Sequence, residues 1–253
     1  VSARDGRALL LPGMIALLGF LVLIGLGSWQ IERKAWKEAL IDTLSQRVAE
    51  APVALPAKNI WTTLAQQNDE FRRVVFRAEF IHSQEAFVFS AGSALRPDVL
   101  GPGYWVFTPA RLADDTRVVV NRGFLPQEKL DTHTRIEGQV LEPVDIVGAL
   151  RWPEARGLFA PGDDSSRNVW YVRDHLAIAA AKNWGEVAPF YIEQEAPVPP
   201  GGAPRPGPLA IRLRNDHLQY ALTWYGLAAV LAVIFTIWAR GRRRAGTARE
   251  PAN

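Results

Sequence analysis

The chain has 253 residues, a formal net charge of +3 and no cysteine. Without cysteine there is no disulfide framework, Cys-ligated zinc, iron–sulfur cluster or thiol nucleophile. The basic excess lies wholly at the two ends: the segment before Leu9 is net +1, the stretch after Ala239 is net +4, and the body between is net −2. A nucleic-acid-binding domain would carry its excess on the folded body, so that class is excluded.

In chain order, residues 1–8 form a short polar start. Leu9 to Ser28 is an uncharged run, and about twenty residues at 1.5 Å each cover the hydrocarbon thickness of a bilayer. The next residues, Trp29-Gln30-Ile31-Glu32-Arg33, are no small-residue cleavage site, so residues 9–29 are expected to be a retained transmembrane helix. Ile31, Ala35, Leu40, Leu44 and Val48 recur at roughly helical spacing, which predicts that the helix continues to about Ser45; Pro52 and Pro56 stop it.

The period then changes to two. Val74, Phe76, Ala78 and Phe80 alternate with Arg73, Val75, Arg77 and Glu79, predicting a half-buried strand. Ala86–Ser90, Trp105–Leu112, Arg117–Asn121, Ile136–Val140, Val144–Arg151, Asn168–Arg173 and Phe190–Glu193 read as further strands. Asp114-Asp115 turns a hairpin between two of them. Asp174 is placed to cap a short Ala-rich helix over His175–Lys182. Residues 197–208 are Pro/Gly-rich and read as an extended linker that does not pack. Tyr220 to Ala239 is a second uncharged run, inside a span of 217–239, and residues 240–253 are a basic tail. The expected fold is an α+β membrane protein. Two transmembrane helices flank a mainly antiparallel β domain, residues 30–216, that carries one or two helices.

The Arg240–Arg244 cluster predicts a cytoplasmic C-terminus by the positive-inside rule. Two spans return the N-terminus to the same side, with Arg4 and Arg7 in agreement, and put the middle domain outside. No Arg-rich, acid-poor transit segment stands before Leu9, and Arg outnumbers Lys 24 to 5. The expectation is a bacterial inner membrane with a periplasmic domain.

Four segments, in register with this topology, carry a family resemblance. Gly27-Ser28-Trp29-Gln30-Ile31-Glu32-Arg33-Lys34-Ala35-Trp36-Lys37 resembles the G-x-W-Q-x-x-R-x-x-W-K signature of the surfeit locus protein 1 family. Val119-Val120-Asn121-Arg122-Gly123-Phe124-Leu125-Pro126 and Val147-Gly148-Ala149-Leu150-Arg151 resemble two of its strands. Arg214-Asn215-Asp216-His217-Leu218-Gln219-Tyr220-Ala221-Leu222-Thr223-Trp224-Tyr225 resembles the entry to its second span, with Asp216 where the family usually has Asn. The family comprises assembly factors of cytochrome c oxidase. The resemblance implies a role in delivering haem a to, or stabilising it in, oxidase subunit I, with haem a synthase and the lipid bilayer as further partners and no nucleic acid.

Given that implication, the chain's four His can be sorted. His82, His133 and His175 fall in polar or loop surroundings of the middle domain; only His217 stands at a membrane boundary. If a helix starts near Asn215, then His217, Tyr220, Ala221 and Trp224 share one face. His217 is therefore the expected haem-iron ligand, with Tyr220, Trp224, Trp29 and Gln30 around the ring. Arg33, Arg212 and Arg214 suit the propionates. Gly25, Gly27 and Ser28 would permit close helix approach. Tyr225 and Trp238 read as interfacial belt residues, and Asn121-Arg122-Gly123 as structural.

There is no G-x-S-x-G elbow, H-E-x-x-H, P-loop or C-x-x-C, so no enzyme is expected. The alternative function is a cofactor-free scaffold for oxidase subunits. A regulator of surface-polymer assembly would need a mostly helical outer domain, against the alternating strands.

Overall fold

The computed structural model describes residues 3–247 except 94, 95, 97 and 211–214. In chain order the elements are α1 (Ala3–Ala49), β1 (Val53–Ala54), α2 (Gln66–Asp69), β2 (Arg73–Phe80), β3 (Ala86–Ser90), β4 (Gly103–Arg111), β5 (Arg117–Pro126), β6 (Val144–Arg151), β7 (Val169–Trp170), α3 (His175–Ala181), β8 (Tyr191–Ala196) and α4 (His217–Thr247). Two compact units result. One is Val1–Asp42 with Leu213–Asn253; the other is Thr43–Arg212.

The first unit is a pair of helices, the early part of α1 and α4, both long and apolar enough to cross a membrane. Their apolar side chains mostly face outward: Leu11, Met14, Leu18, Leu222 and Ile237 are each more than half exposed. Outward-facing apolar surface of this kind suits lipid, which makes the two helices candidate membrane spans. The helices meet along small residues. A Cβ on Gly19 would lie 3.3 Å from Leu231, and one on Gly27 only 2.5 Å from the Tyr225 ring. Gly25, by contrast, has nothing within 4 Å and makes no close approach.

The second unit is a small barrel. β2, β6, β8, β5 and β4 pair in turn, and β4 returns to β2 through Glu79 opposite Arg111 and Phe80 opposite Ala110. The ring is antiparallel except at β5–β8, where Val119, Val120 and Asn121 run parallel to Tyr191, Ile192 and Glu193. Closure removes most of the free edge. Alternation then sorts side chains into two cores. Val74, Ala78, Phe80, Val120, Ile146 and Ile192 fill the barrel. Trp105, Phe107, Val119, Tyr191, Ile178 and Trp184 form a second core outside its wall, beneath α3. Asp174 Oδ1 accepts from the backbone N–H groups of Leu176 at 3.1 Å and Ala177 at 3.0 Å, which fixes the start of α3.

Three sequence expectations are corrected. Ile136–Val140 is not a strand: residues 132–138 form 3₁₀ turns, and Ile136 is 69% exposed. Asn168–Arg173 shortens to the two residues of β7. Residues 197–208 are not an unpacked linker. Arg205 exchanges backbone hydrogen bonds with Phe124 at 3.0 and 2.8 Å, and Ala203 is 5% exposed. Proline brings no N–H to satisfy, so a Pro-rich segment can lie against a wall at little polar cost. Gly123 makes this possible. Its φ is +116°, and a Cβ there would strike the Arg205 backbone.

Candidate functional site

The first unit brings two of the expected site residues into direct contact. His217 opens α4, and its Nδ1 lies 2.7 Å from Oε1 of Gln30 on α1. A carbonyl oxygen accepts, so Nδ1 carries the proton and donates it. Nε2 then holds the lone pair. An imidazole whose Nδ1–H is tied to an oxygen is the form that ligates a metal through Nε2. Further along α4, Ala221 is buried and Trp224 half-buried, and Tyr225 sits over Gly27 with its hydroxyl 3.2 Å from Ser28 Oγ. Tyr225 is thus a helix–helix contact. Sequence spacing missed it because the register between the two helices is a tertiary fact.

The other expected residues spread around this point. Tyr220 is 56% exposed and Trp29 54%. Arg33 lays its guanidinium 3.9 Å above the Trp36 ring. Arg212 and Arg214 lie outside the described residues.

In the second unit His133 is exposed in a 3₁₀ turn and His82 stands in another among charged groups, as expected; His175 is the one that is not in polar or loop surroundings. His175 is fully buried against Tyr191, with rings 5.5 Å apart, and donates from Nε2 to Ala188 O at 3.0 Å. Burial lowers its pKa to about 4. His82 belongs to a buried ionic knot. Its Nε2–H donates to Val140 O at 2.8 Å, and its Nδ1 accepts from Arg122 at 3.1 Å. Arg122 also donates to Glu85 at 2.7 Å, and Arg135 clasps the other Glu85 oxygen at 2.7 Å. Burial alone would push the Glu85 carboxyl up. The two arginines outweigh it, and the pKa is lowered to about 2. His82 Nδ1, 3.6 Å from Glu85 and already accepting from Arg122, contributes less than the guanidinium groups. Arg122 is 3% exposed, so the Asn121-Arg122-Gly123 segment serves the fold. The knot joins β5 to the 3₁₀ segment through Arg122 and Gly138 O.

Among the described residues, no group of three or more His or acidic side chains is placed to hold a bare metal ion. Among the described residues, His217 is an imidazole oriented by an oxygen acceptor, and a single such donor would suit an iron already held by a macrocycle rather than a bare ion.

The model of the SURF1 family matches residues 17–229, which include the whole barrel, most of α1 and the first part of α4. Surfeit locus protein 1 of Rattus norvegicus is 37% identical over 221 residues, 83% of this chain and 70% of that protein. That of Mus musculus is 37% identical over 231 residues, 85% and 73% of the two chains, and that of Homo sapiens 35% over 222 residues, 83% and 72%. The Gly27–Tyr225 seam, the His217–Gln30 pair and the Gly123 crossing all fall inside the matched range, and the chain belongs to the SURF1 family.

Proposed function

We propose that this chain is a membrane-anchored, non-enzymatic assembly factor for a haem-copper cytochrome c oxidase. It holds haem a as cargo and aids its delivery to, or retention in, subunit I; the enzyme that makes haem a is the donor. The observation that carries the reading is the His217–Gln30 hydrogen bond at 2.7 Å, which leaves Nε2 as the ligating atom. Trp224 supplies an apolar wall beside it, Trp29 and Tyr220 stand at the rim, and Arg33 and Arg214 are the cations for the propionates. Haem contributes the iron and the flat apolar ring. The chain contributes an oriented imidazole with its proton held at Nδ1, and a close helix seam that fixes that imidazole in place.

Both termini lie on the cytoplasmic side of a bacterial inner membrane and the barrel is periplasmic, a reading supported by the basic Arg240–Arg244 cluster beside the second apolar run. Purification from a host that makes haem a tests the function. Haem a should copurify and show an imidazole-ligated spectrum. A preparation free of haem, or one that takes up haem b equally well, would count against it.

A further inference from the structure

The two flanks of the helix pair are unlike. Successive residues of a helix point about 100° apart, so Ser28 and Leu26 lie on opposite sides of Gly27. Gly27 faces the Tyr225 ring, and the Tyr225 hydroxyl lies 3.2 Å from Ser28 Oγ. On α4 the fully buried Ala221 and Ala228 mark the line that faces α1. Trp224 and Tyr225 stand about 50° to either side of that line. Tyr225 is on the Ser28 side, so Trp224 is on the Leu26 side. A second contact agrees with this. Gly19 points within about 20° of Leu26, and Leu231 within about 20° of Trp224. A Cβ on Gly19 would lie 3.3 Å from Leu231.

One flank is thus closed by the Tyr225 ring and its hydrogen bond. The other, at Leu26 and Trp224, is half-buried and apolar. The His217–Gln30 bond leans toward this second flank. Gln30 points about 60° from Gly27 on the Leu26 side, and His217 about 30° from the alanine line on the Trp224 side. Arg33 points within about 20° of Leu26 and stands about 10 Å farther along α1, beyond the uncharged run. Leu26 and Trp224 lie inside the two uncharged runs. From the charged end inward, the flank offers a cation, an imidazole and an apolar strip at hydrocarbon depth.

Haem a has carboxylates on one edge and a long isoprenoid tail on another; haem b lacks the tail. We propose that Leu26 and Trp224 form the wall against which the tail lies, and so set the preference of the site for a tailed haem. This rests on the reading of the chain as a haem a carrier, and adds to it which flank is used and what selects the cargo. A tail displaced from the wall still finds lipid, which is as apolar as leucine, so the preference comes from packing and has a modest size.

The test compares Leu26→Trp, which fills this flank, with Leu21→Trp, which adds the same bulk at a 56% exposed position on the Ser28 side. The full chain is purified in detergent and titrated with haem a and with haem b, read by absorption. Leu26→Trp should weaken haem a binding about tenfold and leave haem b binding unchanged, which also shows that His217 is still in place. Leu26→Ala, which adds no bulk, should weaken haem a binding about threefold and spare haem b. Leu21→Trp should change neither. If both Leu26 variants leave the ratio of the two affinities as in the wild type, or if Leu21→Trp selectively loses haem a, the wall is overturned and the carrier reading stands. If the wild type takes up neither haem, the carrier reading fails and the wall with it.

Discussion

Nδ1 of His217 and Oε1 of Gln30 lie 2.7 Å apart although 187 positions separate them in the chain. That bond decides which imidazole nitrogen keeps its proton. Gln30→Leu should weaken haem retention by about 10–100-fold, the usual cost of losing the partner of a metal-ligating His. Gln30→Glu should keep the haem and lower its reduction potential, because a carboxylate makes the imidazole a stronger donor. Haem titration and a potentiometric titration read the two effects.

Gly27 sets how close the helices come. Any Cβ there meets the Tyr225 ring at 2.5 Å, so Gly27→Val should push α4 away and loosen the His217–Gln30 bond. Trimming the ring should relieve this. Gly27→Val with Tyr225→Ala is expected to recover about 1–2 kcal/mol of the loss, seen as non-additivity in haem affinity. Additive effects would mean that the seam does not support the site.

Arg122 is buried with Glu85, Arg135, His82 and the Gly138 carbonyl around it. Arg122→Ala leaves a buried carboxylate short of a partner and should cost about 3–5 kcal/mol in thermal or denaturant unfolding. Arg122→Lys should recover little, since one ammonium does not span both Glu85 and Gly138 O.

Acid should unfold the barrel unit in two stages. The His175 pKa is lowered from 6.5 to about 4 in the fold, so the unfolded chain takes the proton first and stability falls as pH drops through that window. Glu85 is lowered from 4.5 to about 2, and its contribution is present above 4.5 and lost between there and 2. Unfolding free energy measured against pH should flatten in the upper window for His175→Phe and in the lower one for Glu85→Gln.

Strands with one buried face were readable because alternation reports burial directly: β2 and β6 carry Val74-Ala78-Phe80 and Ile146-Gly148-Leu150 buried at the barrel, and β3 carries Ala86-Val88 into the second core. Segments held by single tertiary contacts were not. Ile136 alternates in sequence but points to solvent, and what fixes its neighbourhood is Arg135 reaching Glu85. Residues 197–208 look like a spacer because proline and glycine hide their packing against Gly123 and Phe124. His82 and His175 carry no local sign of burial; their partners are Arg122 and Tyr191, far along the chain. At the site, His217 and Gln30 were each legible as candidates, but their hydrogen bond and the place of Tyr225 depend on how the two helices register.

Ligation of the haem iron by His217 is decided by the bound-haem spectrum of His217→Ala. His133→Ala is the proper control, since His133 is exposed, whereas changes at the buried His82 or His175 would disturb the fold. With the full chain purified from a haem-a-producing host, His217→Ala should lose the bound haem or its imidazole-ligated spectrum while remaining inserted and folded. Added imidazole should restore part of the signal, and His133→Ala should match the wild type. A wild-type spectrum and haem stoichiometry in His217→Ala would mean that the iron is held elsewhere.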